Sequence, residues 1–237
     1  MPDKKNEFAF KSLTGLLGHV FKLDYFVPND DGKVPIPHFW HPGRGNFAVA
    51  LGENASGKSF FRRLVSAVCR EAGVEIMPIS MEGRFGNYGG LRGMIYGDES
   101  WESTGENSAG TVLAGISTCK SRENAHVIFW DEPDLGLSDR WAAGMGVALR
   151  GFAEALPKKT HGAIIVTHSR ALVQELLPAE PHYLHFGSSD PPATLQAWLS
   201  REIKPKSLDL LKEESRKRFK LIQTILNRVE KRKEARR

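Results

Sequence analysis

The sequence predicts an α/β fold in three layers, with helices on both faces of a mostly parallel sheet, and three observations carry the prediction. Short apolar runs at 46–51, 126–130 and 163–166 have the composition of strands buried on both faces. The first run leads through a glycine-bounded turn into Phe60-Phe61-Arg62-Arg63-Leu64-Val65-Ser66-Ala67-Val68, which has the pattern of an amphipathic helix. All three runs end in residues suited to chemistry, and the carboxyl ends of parallel strands are where such sheets collect ligands. At 237 residues the chain has room for one such domain and an appendage.

In chain order, the polar start gives way to Phe8-Ala9-Phe10 and then to Val20-Phe21-Lys22-Leu23-Asp24-Tyr25-Phe26, whose alternation predicts a strand. Residues 28–44, with Asn29-Asp30-Asp31-Gly32 and four prolines, read as a loop. Tyr25, Phe26, Phe39 and Trp40 are candidates to stack on a nucleobase, although packing is the commoner use of such rings. Val74-Glu75-Ile76-Met77-Pro78-Ile79-Ser80 reads as a strand, and Pro78, which lacks a ladder donor, places it at a sheet edge. Residues 83–110 are glycine-rich and polar, the composition of a loop, and a helix is predicted over 109–121 with Val112, Leu113 and Ile116 on one face. After the loop Gly187-Ser188-Ser189-Asp190-Pro191-Pro192, residues 207–235 hold no Gly or Pro. They repeat Leu208, Leu211, Phe219, Ile222, Leu226 and Val229 near helical spacing, which predicts a long amphipathic helix. The expected division is a domain over 1–200 and a helical extension over 201–237.

Gly52-Glu53-Asn54-Ala55-Ser56-Gly57-Lys58-Ser59 fills every position of the pattern G-x-x-x-x-G-K-[ST], between a strand and a helix as the pattern requires. Gly52 and Gly57 let the loop bend so that successive backbone N–H groups cradle phosphates in front of the positive helix end. Lys58 then reaches the β/γ-phosphates and the Ser59 hydroxyl can ligate Mg²⁺, so the ligand is a nucleoside triphosphate. The second motif is His126-Val127-Ile128-Phe129-Trp130-Asp131-Glu132-Pro133. Asp131 can hold Mg²⁺, and Glu132 can orient and deprotonate an attacking water. Adjacent carboxylates resist ionising together unless a cation is near, which again points to a metal–phosphate site. The third run ends in Thr167-His168-Ser169 and brings His168 to the same sheet edge, where it can sense the terminal phosphate. His38 with His41, and His182 with His185, are spaced like metal pairs but lack a cysteine partner or a third ligand.

Charge is distributed unevenly. The chain is +5, yet residues 201–237 hold 14 Lys/Arg against 6 Asp/Glu, which leaves residues 1–200 at −3. The excess lies in Arg216-Lys217-Arg218-Phe219-Lys220, Lys231-Arg232-Lys233 and Arg236-Arg237, beside the apolar stripe of the same helix. Such a surface suits a protein partner first and nucleic acid second. Two distant cysteines, Cys69 and Cys119, and no leader pattern make a reduced cytoplasmic setting the expectation. No apolar run approaches the roughly 20 residues a membrane span needs, so a membrane is expected only through another chain.

On these motifs the chain resembles the ABC-type P-loop ATPase domains over residues 20–186. The phosphate loop, Asp131-Glu132-Pro133, the D-loop-like Asp134-Leu135-Gly136-Leu137-Ser138 and a switch histidine, His168, occur in family order. The family's L-S-G-G-Q signature places its serine 23 residues before the metal-binding aspartate, and Ser108 stands 23 residues before Asp131. Asn107-Ser108-Ala109-Gly110-Thr111 thus looks like a degenerate signature. The resemblance implies a P-loop NTPase fold with a reduced helical subdomain, ATP and Mg²⁺ as ligands, and an ATP-dependent homodimer in which Ser108 and Gly110 contact the opposite protomer's nucleotide. No glutamine lies between Ser59 and Ser108, so the family's Q-loop is missing or replaced, with Glu82 the candidate, and the segment is short for a transporter-docking subdomain. The soluble DNA-repair and antiviral-defence branch is therefore the better match. The expected function is an ATPase switch acting on a protein or nucleic-acid complex. A nucleotide-gated assembly module with little turnover and a transporter nucleotide-binding subunit are the alternatives.

Overall fold

Six strands form one sheet: β1 (His38–His41), β2 (Phe47–Gly52), β3 (Glu75–Ser80), β4 (His126–Asp131), β5 (Thr160–Val166) and β6 (His182–Phe186), in the order β1-β6-β2-β5-β4-β3. β1 runs antiparallel to β6 and every other pairing is parallel, so the α/β class with a mostly parallel sheet is the one observed. This computed structural model describes residues 7–28, 32, 34–80 and 103–234. Glu82 and the glycine-rich segment as far as residue 102 lie outside the described residues, as do the side chains of Val229 and of the basic clusters from residue 231 onward.

The apolar runs are continuous because each strand feeds two cores, one on each face. β2 sends Ala48 and Ala50 to one side and Phe47, Val49 and Leu51 to the other; β4 divides Val127 and Phe129 from Ile128 and Trp130. The first face is covered by α1 (Leu13–Val20) and α2 (Lys58–Ala72). The second is covered by α3 (Thr104–Ser121), α4 (Asp139–Glu154), α5 (Arg170–Leu176) and the short α6 (Leu195–Ser200). These are the three layers.

Four elements differ from the sequence expectation. No strand covers 20–26: Leu13, Leu16, Leu17 and Val20 lie on one helical face, all fully buried, and Val20 ends α1. The aromatics that follow are set by turns, Phe21 meeting Phe26 edge-on at 5.1 Å and stacking on Phe61 at 5.9 Å. The 28–44 segment is not wholly loop, because His38–His41 pairs with β6 as an edge strand. β6 itself carries two buried histidines that hide its strand character in the sequence. Finally, α3 starts five residues before 109, at Thr104, where Ser103 and Glu106 form a reciprocal capping box. β3 lies at the sheet edge, as Pro78 requires.

The long C-terminal helix is present as α7 (Leu208–Glu234). It is docked on the domain, with Ile225 only 3% exposed in the α1/α2 core and Leu221 packed beside it. Phe219 stays 63% exposed on the same helix. Among the described residues no helix is long and apolar enough to cross a membrane.

Candidate functional site

The loop at the end of β2 has its shape enforced by close backbone contacts. A Cβ on Gly52, at φ 142°, would stand 2.6 Å from the Phe186 carbonyl oxygen and 2.8 Å from Ser56 Oγ, so only glycine fits. Gly57, at φ 105°, caps α2, and Ala55 between them is left-handed at φ 59°, a conformation costing a non-glycine residue about 1–2 kcal/mol. The Ser56 N–H donates to the Glu53 carbonyl at 3.2 Å. The Ser56 hydroxyl is buried and makes no hydrogen bond, next to Gly187, where a Cβ would stand 2.6 Å from Ser56 Cβ.

Lys58, the first residue of α2, folds back into this loop. Its Nζ donates to the carbonyl oxygens of Gly52 at 2.9 Å and Glu53 at 2.8 Å. It is 7% exposed, and burial pulls its pKa down to about 8 against the opposing pull of Glu132, Asp131 and Glu53. A buried ammonium, an unpartnered buried hydroxyl and a helix N-terminus together form a donor set that fits phosphate oxygens.

Strands β5 and β4 are the next two along the sheet from β2, and their ends face the loop. Asp131 closes β4 with Oδ2 3.4 Å from Arg62 Nε, both side chains mostly buried. Glu132 turns left-handed, φ 53°, with its N–H on the Val166 carbonyl at 2.9 Å, and this sharp turn parts the two carboxylates. Asp131 meets α2, whereas Glu132 meets His168, Nε2 to Oε1 3.5 Å. The hydrogen bond with His168 holds Glu132 below the usual carboxylate range, burial opposes it, and the charges of His168 and Lys58 add to the depression. Asp131 is thus paired with the Arg62 guanidinium and Glu132 with the His168 ring and the charge of Lys58, so the two neighbouring acids do not share one partner.

Two further residues belong to this cluster: Arg62, which lies in no motif, and Asp134, which opens the D-loop-like segment without being a candidate site residue. Arg62 stands four residues after Lys58, so both lie on one face of α2, and that spacing was the available signal. Asp134 accepts a hydrogen bond from Thr167 Oγ1 at 2.8 Å, tying the residues after β4 to the end of β5, and burial raises its pKa. Asp131 and the exposed Ser59 are hard oxygen donors, a set that suits Mg²⁺ completed by phosphate and water. Among the described residues no group of three or more His, Cys, Asp or Glu could hold a metal by itself.

Ser108 is placed differently from the loop residues. It is the fifth residue of α3, 2% exposed, and its hydroxyl donates to the Leu135 carbonyl at 2.7 Å. It braces the 134–138 segment from behind. Gly110 is exposed, with open space where a Cβ would be. The surface end of this helix is Ser103-Thr104, beside Gly136, where a Cβ would come within 2.8 Å of the Thr104 side chain.

The remaining candidates are used in packing. Tyr25 meets Phe60 edge-on, Phe26 and Phe39 meet Phe186 and Tyr183, and Trp40 Nε1 donates to His182 Nδ1. His182 also accepts from the Gly43 N–H and reaches the Gly45 carbonyl through Nε2, so both its nitrogens are engaged. His38 stacks on Phe21 at 4.5 Å, and burial pulls His185 down to about 4. In comparison with known proteins, no family model matches this chain and no curated protein matches its sequence.

Proposed function

We propose that the chain is an ATP-hydrolysing, ABC-type P-loop ATPase that works as a dimerising switch on a partner. One observation carries this reading. At the ends of three consecutive parallel strands of the sheet, β2, β5 and β4, a buried lysine in a glycine-bounded loop faces an Asp-Glu pair whose glutamate is held by a histidine. The loop backbone and Lys58 hold the triphosphate, and Lys58 neutralises charge on the terminal phosphoryl group. Mg²⁺, held by Ser59 and Asp131, would add to that neutralisation. Glu132 accepts the proton of the attacking water; its depressed pKa keeps it ionised at neutral pH, and His168 fixes its orientation.

In the dimer, the exposed Ser103-Thr104 end of α3 is the surface offered to the opposite protomer's nucleotide, with Ser108 supporting it through Leu135. The partner, a protein ahead of a nucleic acid, engages the outward side of α7, where Phe219 is exposed beside basic residues. A soluble repair or defence setting suits such a switch better than a transporter. The same depression that keeps Glu132 ionised also weakens it as a base, and this favours, as the second reading, an assembly module gated by ATP with slow turnover.

Phosphate release and MgATP-dependent light scattering on the full chain and on Glu132→Gln test the proposal. The expected result is MgATP retained by both, turnover at least about 100-fold slower in the variant, and accumulation of the ATP-bound dimer. Turnover of Glu132→Gln at the parent rate would remove Glu132 from its role. Failure of the parent chain to bind MgATP would overturn the proposal as a whole.

A further inference from the structure

We propose that Arg218, on the C-terminal helix α7, is a positioning residue for the phosphate loop, holding the Ala55 carbonyl and with it the left-handed turn that shapes the loop. The proposal deepens the nucleotide-site reading of residues 52–59 and rests on it.

Two cations of the C-terminal extension reach this loop. Lys206 pairs with the Glu53 carboxylate, and Arg218 donates from Nε to the Ala55 carbonyl at 3.4 Å and from Nη1 to the Pro35 carbonyl at 3.3 Å. Their placement follows from how α7 is anchored. Ile225 is buried in the α1/α2 core, and Arg218 precedes it by seven residues, two helical turns, so both project from one face of the helix. Burial of Ile225 therefore sets the register that delivers the guanidinium to the loop.

Ala55 is the residue that needs such a contact. Among the described residues only Ala55, Glu132 and Glu180 adopt positive φ without being glycine, and the first two belong to the candidate site. A left-handed alanine persists only where its surroundings over-determine it. In a trans peptide the carbonyl and the following N–H point in opposite directions. With the Ala55 oxygen drawn outward to Arg218, the Ser56 N–H is turned the other way, to the Glu53 carbonyl at 3.2 Å. That bond is at the long limit for N–H···O, as the two Arg218 bonds are at or just beyond it, so a phosphate oxygen can compete for the Ser56 donor. The second bond, to Pro35, ties the guanidinium to the segment whose next residue, Ile36, would lie 3.2 Å from a Cβ on Gly57. Arg218 thus joins α7, the segment before β1 and the loop at one point. By reciprocity, if the docking of α7 strengthens phosphate binding by some factor, bound phosphate strengthens the docking of α7 by that same factor.

A double-mutant cycle on the full chain tests the inference, because Ala55→Gly removes the conformational need that Arg218 meets. MgATP affinity is measured by calorimetry, and amide exchange at Ser56 and Gly57 is measured without nucleotide. Arg218→Gln is expected to weaken MgATP binding about tenfold in the Ala55 parent but only about twofold in Ala55→Gly, and to speed exchange of the two amides about tenfold. Arg218→Lys, which can still donate to the Ala55 carbonyl, should recover most of both effects. An equal loss in the two backgrounds would mean that α7 acts only as general packing, and this overturns the inference, as does unchanged exchange in Arg218→Gln. Lys58→Ala separates the two levels: undiminished MgATP binding there overturns the nucleotide-site reading, while the exchange measurement still decides the anchor.

Discussion

The loop at 52–59 and the Ser108 segment of α3 both present candidate site residues in the sequence, yet the structure uses them differently. In the loop, Gly52, Ala55 and Gly57 take positive φ, and Lys58 turns back onto the carbonyls of Gly52 and Glu53. Eight contiguous residues there constrain one another through the backbone. Ser108 is distinguished in the sequence only by a single distance, 23 residues before Asp131. It lies inside a helix with its hydroxyl on Leu135, while the helix end that faces solvent is Ser103-Thr104. A contiguous pattern carries dihedral angles with it, whereas a spacing across a helix does not state which face a residue occupies.

The largest effect that sharpens this contrast is expected at Lys58. Lys58→Ala should weaken MgATP binding at least about 100-fold, checked by calorimetry, because the buried charge facing the phosphates is lost. Affinity in the parent should also fall as pH rises through about 8, where Lys58 deprotonates in the nucleotide-free protein. The stability effect has the opposite sign. The folded pKa, about 8, lies below the ordinary 10.5, so between these values the unfolded chain binds more protons and stability rises with pH. At pH 7 the cost of burying the ammonium is fully present. Lys58→Met should therefore melt at a higher temperature than the parent, by about 1–3 kcal/mol of stability, while binding no nucleotide.

The next largest effect is expected at Ser108. Ser108→Arg forces a guanidinium into a buried site and should destabilise the fold by about 3 kcal/mol or more, seen in denaturant titration. Ser108→Ala should cost about 1 kcal/mol, because the Leu135 carbonyl loses its donor. Thr104→Arg, on the exposed end of α3, should leave stability within about 0.5 kcal/mol and still reduce ATP-dependent dimerisation about tenfold in light scattering. If Ser108→Arg folded normally and lost only dimerisation, the serine would be the residue that reaches across.

The smallest effect is at His168. His168→Asn removes the largest cause of the depressed Glu132 pKa, so that pKa should rise toward its ordinary value. The acid limb of the pH–rate profile then moves to higher pH, with the plateau rate changed less than about tenfold. As a stability matter, a depressed carboxylate pKa contributes stability above its unfolded pKa that is lost as pH falls through the folded one, so the variant should lose less on acidification. A profile that did not move would separate His168 from Glu132.

From its own residues the chain determined the sheet class, the loop and the strand that ends in two acids, because each is written locally. Buried runs such as Val127-Ile128-Phe129-Trp130 admit one environment, and the glycines of the loop answer dihedral angles and close contacts that only glycine meets. It misdirected where two local readings competed: Val20 ends a helix although the next residues alternate like a strand, and His182 and His185 disguise a buried strand because their partners are far away in the chain. Tertiary structure alone decided that Arg62 neutralises Asp131, that Glu132 parts from its neighbour to meet His168, and that Ser108 faces Leu135. It alone brought Arg218 to Ala55, across 163 residues of sequence. The physical reason is common to these cases: a partner's identity depends on which elements lie side by side, and that is settled by the packing of the two cores rather than by any pattern within one segment.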